Sequence, residues 1–167
     1  MSDHKARISW RFSGGDFLKG RYSREHSWTF DGGSTVPASS APTSVPAPYS
    51  NTANVDPEEA YVAAIASCHM LSFLYVAYRE GFEVASYEDE AVGTMSKNER
   101  GVLWVSSAIL TPRVEYGTGR APSAEQEDHL HHRTHAECYI ANSVKTEITV
   151  RARVTAHPAP ERRDARP

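Results

Sequence analysis

The two cysteines are the residues of this sequence best suited to chemistry. Cys68 lies in the middle of EEAYVAAIASCHMLSFLYVAY, residues 58–78, which is almost wholly apolar, and His69 follows it directly. Cys138 lies in HAECYIANSV, and the chain has no further cysteine. A cysteine thiolate is a strong nucleophile, and two cysteines that meet in space can alternate between thiols and a disulfide.

A buried cysteine becomes reactive only where its surroundings stabilise the thiolate. Arginine is a suitable partner because it does not lose its proton. The candidates are Arg21 and Arg24 in KGRYSREH. Without such a partner, Cys68 and Cys138 would be small core hydrophobes, a common role of free cysteine.

Composition excludes several functional classes. The chain has 167 residues, 40% of them apolar and 23% charged, with a net charge of −3. This size suits one domain with a real core, and the absence of a basic run argues against a nucleic-acid partner. The segment MSDHKARISW lacks the apolar core of a signal peptide, and two cysteines do not make a disulfide scaffold. We therefore expect a cytoplasmic protein.

A long helix carries Cys68. Asp56 is a suitable N-cap, Pro57 suits the first helical position, and Arg79 and Gly81 mark the end. The apolar run would span roughly 29 Å, close to the thickness of a bilayer core. It contains polar residues, however, and has no flanking Lys/Arg cluster, so we expect a core helix enclosed on all sides and no membrane.

The remaining patterns predict an antiparallel α+β fold. Alternating or apolar segments predict strands over 6–12, 22–33, 82–95, 102–116 and 144–154, and a second helix over 123–142. The segment 34–55, rich in Pro and Ser, is interpreted as a long loop. We expect a single domain over residues 1–155 and a disordered tail over 156–167.

Histidines offer a weaker alternative chemistry. His131 and His135 are four residues apart, a spacing that can hold a metal on one helical face, and Asp128 or Glu137 could join them. No HExxH or CxxC motif supports this site, so we interpret these histidines as half-exposed helix residues. His69 is interpreted as a satisfied buried histidine that need not touch the thiol.

The stretch DPEEAYVAAIASCHM resembles the signature of the OsmC/Ohr superfamily, the osmotically inducible and organic hydroperoxide resistance proteins. Glu58 stands ten residues before Cys68, and Cys138 stands where these proteins carry their second cysteine. The resemblance implies a thiol-dependent peroxidase for organic hydroperoxides, with Cys68 as the peroxidatic and Cys138 as the resolving residue. It implies a dithiol reductant, a lipoylated or thioredoxin-like protein, and no metal or organic cofactor.

The resemblance also implies an OsmC-like fold, with an antiparallel sheet, two long central helices and an intertwined homodimer. It implies an arginine beside the thiolate, for which we favour Arg24 over Arg21, oriented by Glu58. Glu58 and Cys68 lie about 15 Å apart along one helix, so Glu58 would act on the site of the second subunit. The sequences around both cysteines depart from the common pattern and indicate a less characterised branch. A non-catalytic ligand-binding or redox-sensing module on the same fold is the alternative.

Overall fold

The computed structural model describes residues 2–117 and 119–152. The chain divides into two compact units at the boundary between Ala64 and Ile65, and each is described by itself. The predicted tail 156–167 and the end of the predicted strand 144–154 lie outside the described residues. The single domain over 1–155 stays a prediction.

The first unit contains an antiparallel sheet in the order β1-β2-β3. The strands are β1 (Ala6–Ser9), β2 (His26–Phe30) and β3 (Thr35–Ala38), and a short 3-10 helix, Phe17–Lys19, lies between β1 and β2. Strands were predicted at β1 and β2, but β3 lies within the segment that was predicted to be a loop. The loop prediction was wrong for these four residues, because β3 is an edge strand, where Pro37 is tolerated without a full set of backbone donors. Residues 39–54 form no helix or strand.

The helix α1 (Pro57–Arg79) begins and ends as predicted. The Asp56 carboxylate accepts a hydrogen bond from the backbone N–H of Glu59 at 2.8 Å, and the Glu59 carboxylate accepts one from the N–H of Asp56 at 3.1 Å. This reciprocal capping box satisfies two backbone donors at the helix start. Gly81, with φ of 79°, then turns the chain out of the helix.

Within the second unit, α1 buries one stripe and exposes the opposite side. The buried residues are Ile65, His69, Phe73, Val76 and Ala77. By contrast, Leu71, Tyr75 and Tyr78 are 60%, 51% and 69% exposed. The expectation of a helix enclosed on all sides is therefore wrong for the single chain. Among the described residues α1 is long and apolar enough to span a membrane, a test that core helices of soluble proteins also pass.

The second unit holds two small sheets. One pairs β4 (Val84–Asp89) with β7 (Pro112–Tyr116), and the other has the order β5-β6-β8, from β5 (Val92–Lys97), β6 (Leu103–Leu110) and β8 (Glu147–Val150). β8 runs parallel to β6, whereas the other pairs are antiparallel. The antiparallel α+β fold that was expected is confirmed, and it contains one parallel strand pair.

Each of the predicted strands 82–95 and 102–116 is in fact two strands, because the chain passes from one sheet to the other within it. Hydrogen bonds join the two points at which the chain changes from one sheet to the other. The backbone N–H of Thr111 donates to the Asp89 carboxylate at 2.7 Å, and the Thr111 hydroxyl donates to the carbonyl of Glu90 at 2.8 Å. Pro112, which has no N–H, starts the new strand.

The helix α2 (Ala124–Glu137) begins where it was predicted to begin and carries a capping box formed by Ser123 and Gln126. It ends earlier than the predicted residue 142, because Cys138 has extended backbone angles, φ −70° and ψ 119°. A short 3-10 turn, Ala141–Ser143, follows. The core of the second unit joins α1, α2 and β7 through Phe73, Val76, Ala77, Phe82, Val114 and Leu130.

Candidate active site

The second unit brings the two cysteines together. Their Sγ atoms lie 2.9 Å apart although 70 residues separate them in the sequence, and both are free thiols. A disulfide bond is roughly 2.0 Å long, so the sulfurs are about 0.9 Å from bonding distance. The pair can therefore close to a disulfide with little movement of either helix.

Cys138 is the fixed member of the pair. It is 1% exposed, its N–H donates to the carbonyl of Thr134 at 2.9 Å, and its carbonyl accepts from the side-chain amide of Asn142 at 2.9 Å. Burial raises the pKa of the Cys138 thiol, and its hydrogen bond to Cys68 raises the pKa further. Cys138 therefore keeps its proton and donates it toward Cys68.

Cys68 is the acceptor of the pair. Its Sγ, which is half-buried, receives the Cys138 thiol and also the backbone N–H of Ile140 at 3.4 Å. Both donors are directed at this one sulfur. The contact is therefore asymmetric: Cys68 accepts, and Cys138 carries the proton between them.

The candidate arginines and Glu58 belong to the first unit. The Arg24 guanidinium donates to the carbonyl oxygens of Gly20 and Tyr22 and lies 3.7 Å from the centre of the Tyr22 ring. Its position is thus fixed by its own loop, whereas the side chain of Arg21 is exposed. Glu58 is half-buried in the first turn of α1. The pairing of either arginine with the thiolate, and the role of Glu58, stay predictions.

His69 is a buried, hydrogen-bonded histidine, as predicted. It is 2% exposed, and its Nε2 lies 3.1 Å from Nδ1 of His131. Burial, assisted by His131 and His135, lowers the pKa of His69 to about 3. His69 is therefore neutral at neutral pH and cannot supply the positive charge that a thiolate requires. The sequence did not indicate that the hydrogen-bond partner of His69 is His131. The expectation that His131 is half-exposed was wrong, because its side chain is 4% exposed.

A cavity of about 280 Å³ lies beside α2 and β8. Its lining includes Asp128, His131, His132 and His135. No three Asp, Glu, His or Cys residues of the described segments are arranged to hold a metal ion. The alternative of a metal bound by His131 and His135 with Asp128 or Glu137 therefore finds no support in the described geometry.

Comparison with known proteins identifies the family. A family model for OsmC-like proteins matches residues 50–153, which include both cysteines and Glu58. The chain belongs to the OsmC-like family. The OsmC-like fold of the chain is also found in an OsmC-like protein of unknown function from Vibrio cholerae, with a TM-score of 0.88 and 45% identity. That match covers 91% of this chain and 99% of the other.

More distant OsmC-like structures share the fold. An organic hydroperoxide resistance protein from Elizabethkingia anophelis matches with a TM-score of 0.67 at 14% identity, over 91% of this chain and 94% of that one. The organic hydroperoxide resistance protein of Bacillus subtilis matches with a TM-score of 0.64 at 18% identity, over 89% and 98%. No relative was found among the curated proteins.

Proposed function

We propose that this OsmC-like protein is a thiol-dependent peroxidase that reduces organic hydroperoxides through a two-cysteine cycle. The observation that carries the proposal is the 2.9 Å approach of the two sulfurs, with both hydrogen-bond donors directed at Cys68. Two inert core cysteines would have no need for this directed contact. The organic hydroperoxide resistance proteins that share the fold support the same class of reaction.

In the first step, the Cys68 thiolate attacks the distal oxygen of the hydroperoxide. The O–O bond breaks, the sulfur is oxidised to a sulfenic acid, and the alcohol leaves after taking up a proton. In the second step, the sulfur of Cys138 attacks the sulfenic sulfur. The S–O bond breaks, a disulfide forms, and water leaves. A dithiol, carried by a lipoylated or thioredoxin-like protein, then reduces the disulfide and becomes a disulfide itself.

Arg24 and Glu58, the other proposed residues of the site, are proposed to act within a homodimer. The apolar side of α1 that carries Leu71, Tyr75 and Tyr78 is exposed in the single chain and supports burial against a second copy. Glu58 would then orient Arg24 at the neighbouring subunit's Cys68, because it stands almost three helical turns from its own.

Substitution of the cysteines tests the cycle. Cys68→Ser should abolish consumption of an organic hydroperoxide, because it removes the nucleophile. Cys138→Ser should still consume one equivalent and then stop at the sulfenic acid, which dimedone traps for mass spectrometry. Retention of full turnover by Cys68→Ser would reject the proposal.

Thiol titration of the native protein separates the enzyme from the non-catalytic module. Fast labelling of Cys68 by an uncharged disulfide reagent at neutral pH supports an activated thiolate. Labelling only after denaturation would favour the ligand-binding or redox-sensing alternative.

Complementation tests the contribution of the second subunit. Cys68→Ser and Glu58→Ala should each be weakly active or inactive alone. When the two variants are co-expressed and the mixed dimer is isolated, that dimer contains one site with both native residues if Glu58 acts across the interface, and its activity should approach half of wild type. Glu58→Ala co-expressed with itself is the control, and no recovery in the mixed dimer would reject action across the interface.

A further inference from the structure

A pair of buried histidines joins α1, which carries Cys68, to α2, which ends directly before Cys138. His69 of α1 and His131 of α2 are 2% and 4% exposed, and they share a hydrogen bond of 3.1 Å. Their rings are nearly parallel, with centroids 5.4 Å apart and an interplanar angle of 9°. Phe73 also stacks on His131, with centroids 4.4 Å apart. None of these groups takes part in the proposed peroxide chemistry.

Short stretches of backbone link the histidine pair to both cysteines. His69 is the residue after Cys68 on α1. His131 precedes Cys138 by seven residues, almost two helical turns, so the two residues lie on the same side of α2. Any shift between α1 and α2 that separates the imidazoles therefore also displaces one sulfur relative to the other.

The contact between the rings is directional. Burial lowers the pKa of both histidines, to about 3 for His69 and about 4 for His131, so both rings are neutral at neutral pH. A neutral imidazole has one donor and one acceptor nitrogen, and the pair therefore forms a single uncharged N–H···N bond. Apolar side chains pack acceptably in several arrangements, whereas a buried hydrogen bond favours one.

The burial of both rings raises the free-energy cost of breaking this hydrogen bond. Nε2 of His131 is buried and makes no hydrogen bond to the described part of the chain. If the bond to His69 were lost, Nδ1 of His131 would be unpaired as well. A buried polar group without a partner is unfavourable, so the bond resists relative movement of the helices.

We propose that the hydrogen bond between His69 and His131 positions Cys68 and Cys138 for disulfide closure, and so sets the rate of the resolving step but not of peroxide attack. This inference rests on the proposed two-cysteine cycle. Attack on the peroxide needs Cys68 alone, whereas closure needs two sulfurs on two helices to meet. A misplacement of about 1 Å can slow such a reaction by 100-fold.

The experiment separates the two steps in the full-length protein. His69→Phe keeps an aromatic ring against His131 but removes the hydrogen bond, and His69→Gln returns a polar nitrogen or oxygen near the position of Nε2. A single turnover with cumene hydroperoxide is followed by dimedone trapping for the sulfenic acid and by free-thiol loss for the disulfide. His132→Gln is the control, because the His132 side chain is 82% exposed.

The expected result for His69→Phe is disulfide closure slowed tenfold or more, with sulfenic acid formation within threefold of wild type. His69→Gln should recover most of the closure rate, and His132→Gln should match wild type in both steps. Closure at the wild-type rate in His69→Phe overturns the proposal. Equal slowing of both steps also overturns it, because that pattern indicates a general loss of structure.

Two further measurements keep the test decisive. If His69→Phe does not fold, the double variant His69→Phe/His131→Phe replaces it, because two apolar rings leave no unpaired nitrogen. Disulfide closure at the wild-type rate in that folded variant overturns the proposal. If the wild type does not consume peroxide, the proposed function fails, and equilibration of the two thiols in a dithiothreitol redox buffer tests the inference alone. The equilibrium constant for closure should then fall tenfold or more in His69→Phe, and an unchanged constant overturns the inference.

Discussion

Acidification should destabilise this protein through the buried histidine pair. Burial lowers the pKa of His69 to about 3 and that of His131 to about 4, whereas both titrate near 6.5 in an unfolded chain. Below pH 6.5 the unfolded chain therefore binds protons that the folded chain does not bind. The histidine contribution to the free energy of unfolding is therefore largest above about pH 6.5 and falls as the pH drops toward the folded-state pKa values.

The size of the effect at pH 5 can be worked out for each histidine. In the unfolded chain each lies about 1.5 pH units below its ordinary pKa, which corresponds to about 2 kcal/mol. In the folded chain both remain largely neutral at this pH, so the pair contributes a loss of about 4 kcal/mol relative to pH 7.5. Domains of this size are stabilised by about 5–15 kcal/mol, so the loss is a large fraction of the total.

Two carboxyl groups, those of the half-buried Asp89 and the buried Glu127, oppose this trend. Burial raises the pKa of Asp89 and of Glu127, so the folded chain takes up their protons earlier than the unfolded chain does. Their contribution to stability therefore grows as the pH falls. The histidine effect has to be isolated by comparison with a variant that lacks both rings but keeps both carboxyls.

The assay is urea unfolding at one protein concentration, at pH 7.5 and pH 5, followed by fluorescence of the three tryptophans. Wild type is compared with His69→Phe/His131→Phe. Between the two pH values, wild type should lose about 4 kcal/mol more than the double variant. An equal loss in both proteins would refute the reasoning, because it would mean that the imidazoles accept protons in the folded state.

Four further predictions concern stability. Asp56→Ala should lower the free energy of unfolding by about 1 kcal/mol in urea titration, because it removes the capping hydrogen bond at the start of α1, and no loss would show that the cap is dispensable. Gly15→Ala should lower the melting temperature, since Gly15 has φ of 101° and a Cβ there would lie 2.1 Å from the carbonyl oxygen of Arg21. Gly32→Ala is its control, because a Cβ at Gly32 meets nothing within 4 Å. Equal effects of the two substitutions would contradict the steric argument. Thr134→Val should be neutral or stabilising because the buried Thr134 hydroxyl has no partner within residues 2–117 and 119–152. Thr146→Val should cost about 1 kcal/mol because its hydroxyl donates to the carbonyl of Val105 at 2.7 Å, and the reverse order in calorimetry would contradict this assignment.

Local signals predicted both ends of α1 and the start of α2, but not the end of α2. Asp56, Pro57 and Gly81 defined α1, and Ser123 defined the start of α2, because capping depends on residues within one turn of each other. The same kind of reasoning failed at β3. It also failed over 82–95 and 102–116, each of which was predicted as one strand and contains two. Whether Pro37 is tolerated depends on β3 being an edge strand, and that is a property of the sheet.

The sequence by itself determined that one cysteine stands on a long helix and the other close to a second helix, at a spacing typical of OsmC-like proteins. Only the tertiary structure decided that their sulfurs lie 2.9 Å apart, that Cys138 donates and Cys68 accepts, and that His69 binds His131. The physical reason is that periodicity and capping act over a few residues. Contacts between residues 62 and 70 positions apart depend on how the helices pack, which no local pattern records.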